Sequence, residues 1–444
     1  MSRAHARRPG HKLRGFGRFR IGLALAAVTV SANAWQINYA LEMALGHSDN
    51  INQSSIDPTG QTLLIPRLDF DLSEDGADLK ARAYGQVEYR DYLQGAFGNE
   101  FRGQFTGVAT WMILPQRLSF DFEDYAAVQP VNILEPNAPN NQQQTNIFTL
   151  GPTFNFRLRP TLEGEADLRL TDSNASQTKE FNSDRTLAAL RVLDRLDPLD
   201  TLSANLEGQN VHFTDRSGGP DYDRYDAFLR YQSKLADIDL DLAGGYAHLD
   251  FSGAEGSRDG PTAHASAAWR VTPENTLSLA AARQYSDASQ DMVVDPTALV
   301  AITPGTGVVV GTATVTSQVF LEYRADASYV FQTARFGLRL APYYRRLDYL
   351  IDTTLDETGH GLNAGFSYRP RPLWTLALDA SEETRNYTFL QRRDEDVRVD
   401  LSFTDQLSRH FSMRFDLIRN ERHSDVANQG FRENVVFATV IFRR

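Results

Sequence analysis

The sequence predicts an all-β protein, a transmembrane antiparallel up-and-down β-barrel of about 18–20 strands with short periplasmic turns and long external loops. Three observations carry that expectation. Apolar and polar residues alternate with period two in long segments from residue 35 to the end of the chain. The connections between those segments alternate between short and long. No linker or compositional break divides the 444 residues into separate soluble domains.

Residues 1–34 read as an export signal, and residues 35–444 as the barrel. Arg3, Arg7, Arg8, Lys12, Arg14, Arg18 and Arg20 form a basic start, "IGLALAAVTV" an apolar core, and Ala32-Asn33-Ala34 a small-x-small cleavage site. The apolar core is about ten residues, half of what a membrane-crossing helix needs. Removal of the seven basic residues takes the formal charge from −12 to −19. An exported chain with no cysteine excludes a disulfide scaffold, thiolate metal sites and a cysteine nucleophile.

The first strand sets Ile37, Tyr39, Leu41, Met43 and Leu45 against Asn38, Ala40, Glu42, Ala44 and Gly46. The second sets Leu68, Phe70 and Leu72 against Arg67, Asp69 and Asp71, and turns at "SEDGAD". The third sets Leu79, Ala81, Ala83, Gly85, Val87 and Tyr89 against Lys80, Arg82, Tyr84, Gln86, Glu88 and Arg90. Turning that strand over would put four charged side chains in lipid, at about 2–4 kcal/mol each near the midplane. Its small, apolar face therefore meets lipid and its charged face a wet interior. The same alternation recurs at Leu162–Leu170, Ile238–Leu242, Phe336–Arg345, Trp374–Asp379 and Phe411–Leu417.

Short connections at "PQR", "RLRPT", "KLAD", "VTPEN", "QTA", "RPRP" and "DQLSR" separate longer polar ones such as "DSNASQTKEFNSD" and "NERHSDVANQG". With the N-terminus inside, that parity holds for twenty strands and nine turns. Trp35, Tyr39, Phe70, Trp111, Phe156, Tyr329, Phe331 and Trp374 fall near strand ends, as interface girdles require. The ending "NVVFATVIFRR" resembles the barrel-assembly signal of bacterial outer-membrane proteins, although Arg443-Arg444 follow the aromatic Phe442.

Catalytic patterns are thin. Gly46-His47-Ser48-Asp49 sets three catalytic residue types side by side, but in an extended backbone His47 and Ser48 point to opposite faces. They cannot form a Ser–His couple, and the run reads as the start of the first external loop. Ile51 and Gln53 stand where a calcium loop would need its third and fifth ligands. The seven histidines beyond the signal lack zinc spacing, and no Gly-x-Ser-x-Gly elbow occurs. No catalytic residue, metal site, cofactor or enzyme activity is expected. The acidic balance argues against nucleic acid.

The interior is the expected seat of function. Acids and bases assigned inward are about equal in number, so the acidic excess lies in loops and turns. Only Lys80, Lys179 and Lys234 are lysines beyond the signal; the other basic groups are arginines, whose planar fork suits carboxylates and hydroxyl-rich sugars. Candidate pore-lining residues are Arg82, Arg90, Arg102, Arg324, Arg339 and Arg345, with Tyr84, Phe320 and Tyr343 as sugar platforms. The plainer alternative is that inward Arg–Asp/Glu pairs brace the wall. A balanced lumen favours a neutral or mixed substrate. Residues 287–313, with "ALVAITPGTGVVVGTATV", form either a hairpin extending two strands above the membrane or an apolar flap folded into the mouth.

The first strand with "SDNINQS", then "WMILPQRLSFDFEDYAAVQP" and "EPNAPNNQQQTNIFTLGPTF", resembles the outer-membrane barrels encoded with exopolysaccharide and PEP-CTERM/exosortase systems, the EpsL-like and "barrel porin 2" groups. The likeness is best over residues 35–160. It implies a Gram-negative outer-membrane location and a part in polysaccharide export or surface display, and it carries over no site residues. The expectation is a monomeric pore, in contact with outer-membrane lipid and the barrel-assembly machinery, that passes a surface polysaccharide delivered by a periplasmic partner. A general diffusion porin and a non-conducting scaffold or binding barrel are the alternatives.

Overall fold

The computed structural model describes residues 35–293 and 314–444. The expected export signal and the centre of the apolar loop (294–313) lie outside the described residues.

Twenty antiparallel strands follow one another around a single sheet. They are β1 (Gln36–Ser48), β2 (Gln61–Asp75), β3 (Leu79–Tyr92), β4 (Glu100–Leu114), β5 (Leu118–Pro130), β6 (Gln142–Arg157) and β7 (Leu162–Ala175). Next come β8 (Ser183–Arg195), β9 (Asp200–Phe213), β10 (Tyr222–Lys234), β11 (Ile238–Phe251), β12 (Ser257–Thr272) and β13 (Asn275–Asp287). A one-turn helix, α1 (Ala288–Met292), precedes β14 (Val319–Gln332), β15 (Phe336–Tyr349), β16 (Glu357–Arg371) and β17 (Trp374–Tyr387). The last three are β18 (Arg392–Gln406), β19 (Phe411–Ser424) and β20 (Phe431–Arg443). Each strand pairs with its neighbour in sequence, and β1 pairs with β20 from Ala40↔Arg443 to Ser48↔Val435, which closes the ring.

The period-two reading sets the two faces. On β3 the register Arg82↔Val108 and Glu88↔Arg102 keeps the charged residues on the inner face, while Val87 and Phe101 face outward. Large apolar side chains form an outward band across consecutive strands, with Leu168, Leu190, Leu206, Leu229 and Leu242 all 40% or more exposed. These are the surfaces that lipid covers. Strands of 13 to 16 residues exceed the nine to eleven or so that a tilted strand needs to cross. The surplus forms a rim beyond the membrane at the long-loop end. At the short-turn end, aromatic pairs such as Phe336 on Tyr368 (4.9 Å) and Trp374 on Phe403 (5.8 Å) mark the interface belt.

The inner wall is held by ion pairs. Glu42 of β1 pairs with Arg67 of β2, which also reaches Asp69 at 3.3 Å, and Arg414 of β19 lies 3.8 Å from the same Glu42. Arg191 bridges Glu165 (2.6 Å) and Glu207 (3.0 Å) across β7, β8 and β9. Many partners stand two residues apart on one strand, as in Glu88/Arg90, Arg324/Asp326 and Arg414/Asp416. A strand's side-chain period places such pairs on one face.

The Gly-His-Ser-Asp run ends β1 as expected. Ser48 is buried and donates to Glu433 Oε1 at 2.6 Å, whereas the exposed His47 has its ring nitrogen 3.2 Å from Thr62 Oγ1. Gly46 is required just below them, because any Cβ there would run into the Phe437 ring. In the loop that follows, Asn50 Nδ2 donates to the carbonyls of Ser54 and Arg432, both at 2.8 Å.

The outward band yields a direct test. Leu206 stands at the middle of β9 and is 58% exposed. Leu206→Arg should lower the unfolding free energy in vesicles by about 2–4 kcal/mol, measured by urea titration of tryptophan fluorescence.

Candidate functional site

The ring loosens at two places. The β4–β5 ladder stops at Phe105↔Ala126, although β4 stays paired with β3 to Glu100 and β5 with β6 to Pro130. The second place is beside α1. The β12–β13 ladder runs from Thr272↔Asn275 to Ala263↔Arg283 and stops there. β12 continues to pair with β11 as far as Asp250↔Ser257, and β13 with β14 as far as Asp287↔Val319. Among the described residues, 257–262 are therefore laddered on one side only. Tyr285 packs into a buried apolar cluster with Val211, Phe213, Tyr222, Leu249, Phe251 and Val319, from β9, β10, β11 and β14.

The chain then enters α1, which lies against the inner wall near the loop end. Asp287, 1% exposed, caps it: Oδ1 accepts the backbone N–H groups of Ser289 (2.9 Å) and Gln290 (3.1 Å). Its Oδ2 accepts from Arg185 Nη1 of β8 at 2.6 Å and from the Tyr222 hydroxyl of β10. Ser289 Oγ lies 2.7 Å from Ser173 Oγ of β7. Gln290 donates to Gln209 Oε1 of β9 at 3.1 Å and accepts from Arg224 Nη1 at 3.3 Å. Asp291 pairs with Arg345 of β15 at 3.1 Å, and Arg345 is also 3.3 Å from Glu322 of β14. One helical turn thus ties β7 to β15, eight strands apart (15 − 7) in the ring of twenty.

Apolar contacts fix the same segment. Ala288, Met292 and Val315 pack with Tyr125, Ile147, Ala175 and Phe181. Phe181 comes from the short helical turn Lys179–Phe181 in the β7–β8 connection. Ser317 and Gln318 meet Gly218 of the β9–β10 connection, whose carbonyl accepts from Gln318 Nε2. The described residues on either side of the apolar run, 288–293 and 314–318, turn into the barrel instead of prolonging β13 and β14. The run itself, on which the hairpin and flap expectations differ, lies outside the described residues.

A cavity of about 710 Å³ borders α1, lined among others by Arg169, Thr171, Gln209, Arg224, His264 and Arg324. Its guanidinium groups are answered by carboxylates: Arg169 by Asp121 (2.8 Å), Arg224 by Asp226 (2.7 Å) and Arg324 by Asp326 (2.7 Å). The arrangement offers donor and acceptor groups side by side with little net field. In the external β15–β16 connection, burial pushes the Asp356 carboxyl above its ordinary value, although it accepts the Tyr349 N–H at 2.7 Å.

The sequence-derived residues fall on two walls. Arg82, Tyr84, Arg90 and Arg102 stand on β3 and β4; Phe320, Arg324, Arg339, Tyr343 and Arg345 stand on β14 and β15, across the ring of twenty. Only Arg324 and Arg345 come to the α1 region. Arg90 pairs with Glu88 (2.6 Å), Arg102 with Glu100 (2.5 Å) and Arg339, more loosely, with Asp379 (3.8 Å). Arg82 is exposed and has no ion pair among the described residues. Tyr343 is half-buried, and its ring lies over Gly361. Two of the aromatic platforms require correction. Phe320 is 0% exposed, set edge-on to Tyr349 at 5.4 Å, and Tyr84 is 8% exposed, so neither offers an open ring face.

Asp287, Arg185, Tyr222, Arg224 and Asp291 were not anticipated. One signal was present: Asp287-Ala-Ser-Gln290 at the end of a strand pattern has the spacing of a helix-capping sequence. The partners on β7 to β10 lie far away in sequence, and nothing local marks them.

No family model and no curated protein sequence matches the chain. Among solved structures, the chain is similar to a mutant of the ferric enterobactin receptor PfeA from Pseudomonas aeruginosa, at 10% identity and a TM-score of 0.49, covering 92% of this chain and 80% of that one. It is also similar to the FrpB iron transporter from Neisseria meningitidis, at 8% identity and 0.44, covering 92% and 81%. The siderophore receptor PirA from Pseudomonas aeruginosa follows at 13% and 0.42, covering 92% and 80%.

The buried Asp287–Arg185 pair gives the second test. Arg185→Met should cost about 3–5 kcal/mol by leaving a buried carboxylate unanswered, and the double change with Asp287→Asn should restore much of it. Urea midpoints of the two variants and the wild type measure both effects.

Proposed function

We propose that this chain is an outer-membrane pore that passes a surface polysaccharide, delivered to it by a periplasmic partner. The carrying observation is the closed ring whose polar inner wall is narrowed at one level by the chain's own α1, pinned from β7 to β15. An inner wall of paired guanidinium and carboxylate groups suits a hydroxyl-rich chain, which can exchange hydrogen bonds with both partners without facing a strong field of either sign. The resemblance of residues 35–160 to barrels encoded with exopolysaccharide systems supports the same reading. Insertion by the barrel-assembly machinery after removal of the N-terminal 34 residues, and action as a monomer, belong to it.

A general diffusion porin is the second reading. The charge pairing along the cavity beside α1 favours it, because a wall with little net field admits many small solutes.

Single-channel conductance of the refolded protein in a planar bilayer separates the two. Steady conductance that fragments of the host's exopolysaccharide block, and unrelated sugars do not, is the expected result. Conductance indifferent to every sugar would leave the general porin. A folded barrel without conductance would refute both pores in favour of a scaffold.

A further inference from the structure

The short-turn rim carries a charge distribution that neither the wall nor the loops share. From the β14–β15 turn to the last residue stand Arg335, Arg369, Arg371, Arg409, Arg443 and Arg444, all exposed. The chain as a whole has a formal charge of −12, and inside the barrel almost every arginine has its carboxylate. None of these six forms an ion pair among the described residues. The one carboxylate in the same turns, Asp405, stands opposite Trp374 and Met413, on the outward register. The short turns that precede this arc, from β8 to β13, carry instead Asp194, Asp197, Asp200, Asp237 and Glu274 beside Arg195 and Lys234, while the turns across the ring carry Arg117, Arg157 and Arg159.

Register places Arg443 at the inner lip, and Arg335 and Arg369 at the turn end of the β15–β16 ladder. Gly337 pairs with Ser367 on the inner face, and one step below, the Arg369 N–H donates to the Arg335 carbonyl at 2.8 Å. Arg335 and Arg369 thus stand directly opposite each other. Arg443 pairs with Ala40 on the inner face of β1, and its N–H donates to the His410 carbonyl at 2.8 Å. Like charges facing each other across a ladder destabilise it. The Arg335–Arg369 pair, with no carboxylate paired to either residue among the described ones, is therefore not explained by wall stability. The register of β20, which sets Arg443 opposite Ala40, turns that side away from the lipid phosphates that would otherwise account for a basic group at a membrane edge. Arg371 differs: its guanidinium lies 4.5 Å from the Trp374 ring, in the aromatic belt.

We propose that the Arg335–Arg369–Arg443 lip is an electropositive landing site for an acidic polysaccharide of the uronic-acid type, arriving from the periplasm. The inference rests on the polysaccharide reading above and specifies the substrate class. Arginine's fork of donors matches a carboxylate in a way that a point charge does not. Repeated carboxylates along a glycan can meet the three groups in turn. Beyond the lip the wall is internally paired, so the chain is captured at the entrance and is not held inside. The lip acts on the rate of encounter, as a one-signed rim does.

The test uses full-length protein in phosphatidylcholine nanodiscs and three labelled probes of similar length: oligogalacturonate, neutral dextran and oligoglutamate. Binding is read by fluorescence anisotropy at about 0.01 M and about 0.1 M salt, where charges act over about 30 Å and 10 Å. Oligogalacturonate should bind, dextran should not, and the higher salt should weaken the complex. The triple change Arg335→Gln, Arg369→Gln and Arg443→Gln should weaken it about tenfold or more at the lower salt. The corresponding triple change to Lys keeps the charge and controls for folding; it should retain most of the low-salt binding.

Equal binding by wild type and the Gln variant would overturn the site. So would an absence of oligogalacturonate binding by folded wild type. Oligoglutamate binding as tightly as oligogalacturonate would overturn the glycan assignment and give the lip to an acidic protein. Conductance without lip-dependent binding would leave the export pore standing and remove only the landing site. Lip-dependent binding without conductance would remove the pore and leave the lip.

Discussion

A backbone amide inside hydrocarbon has no water to turn to, and that constraint organises this molecule. Every N–H and C=O in the membrane layer must find a partner in a neighbouring strand, so a sheet there has to close on itself. Here closure is the β1–β20 ladder, which joins residues nearly four hundred positions apart in a chain of 444. Once the ring is closed, each side chain has two possible environments, lipid or lumen, and the alternation of residue types decides between them. The charged face of β3 and the exposed leucines of β7 to β11 are two results of the same rule.

Placing charge inside creates a second requirement. Adjacent strands lie about 4.8 Å apart, so like charges on neighbouring inner faces would crowd one another, and the chain answers mostly with neighbours. Arg-x-Asp and Glu-x-Arg spacings put partners on one face of one strand, while cross-strand bridges such as Arg191 to Glu165 and Glu207 tie adjacent strands. The wall is therefore braced locally, strand by strand, and its net field stays small. α1 extends the same chemistry across the bore: Arg185 and Arg345 hold it from two sides through the same kind of carboxylate partnership.

This explains what could be read from the sequence and what could not. Twenty strands, their facing and the parity of their connections are local properties, written in period two and in turn residues, and they were legible. The pairing of arginines with acids two residues away was legible for the same reason. The site was not. Asp287 meets Arg185 and Tyr222 only because β13 leaves β12 and carries its end into the barrel, and no periodicity encodes that departure. Phe320 shows the opposite error: its alternation puts it on the inner face, but Tyr349 covers it, and facing inward is not the same as being open. Arg335 and Arg369 are unremarkable as sequence, two members of ordinary turns, until the ladder sets them opposite each other.

A closed ring has no free edge, yet this one makes a short edge for itself. Where β13 turns inward, residues 257–262 of β12 keep hydrogen bonds to β11 and, among the described residues, have no strand on their other flank. The barrel is thus mechanically divided at that side. Its lower belt is a continuous hoop, while the rim above behaves as a split collar whose two lips can spread without unzipping the hoop beneath. The side chains of Tyr285 and Arg283, close to Gly260, form the clasp across that split. Compliance in this rim is therefore concentrated at its seams, this clasped one and the opening above Phe105↔Ala126 between β4 and β5, instead of being spread evenly around its circumference.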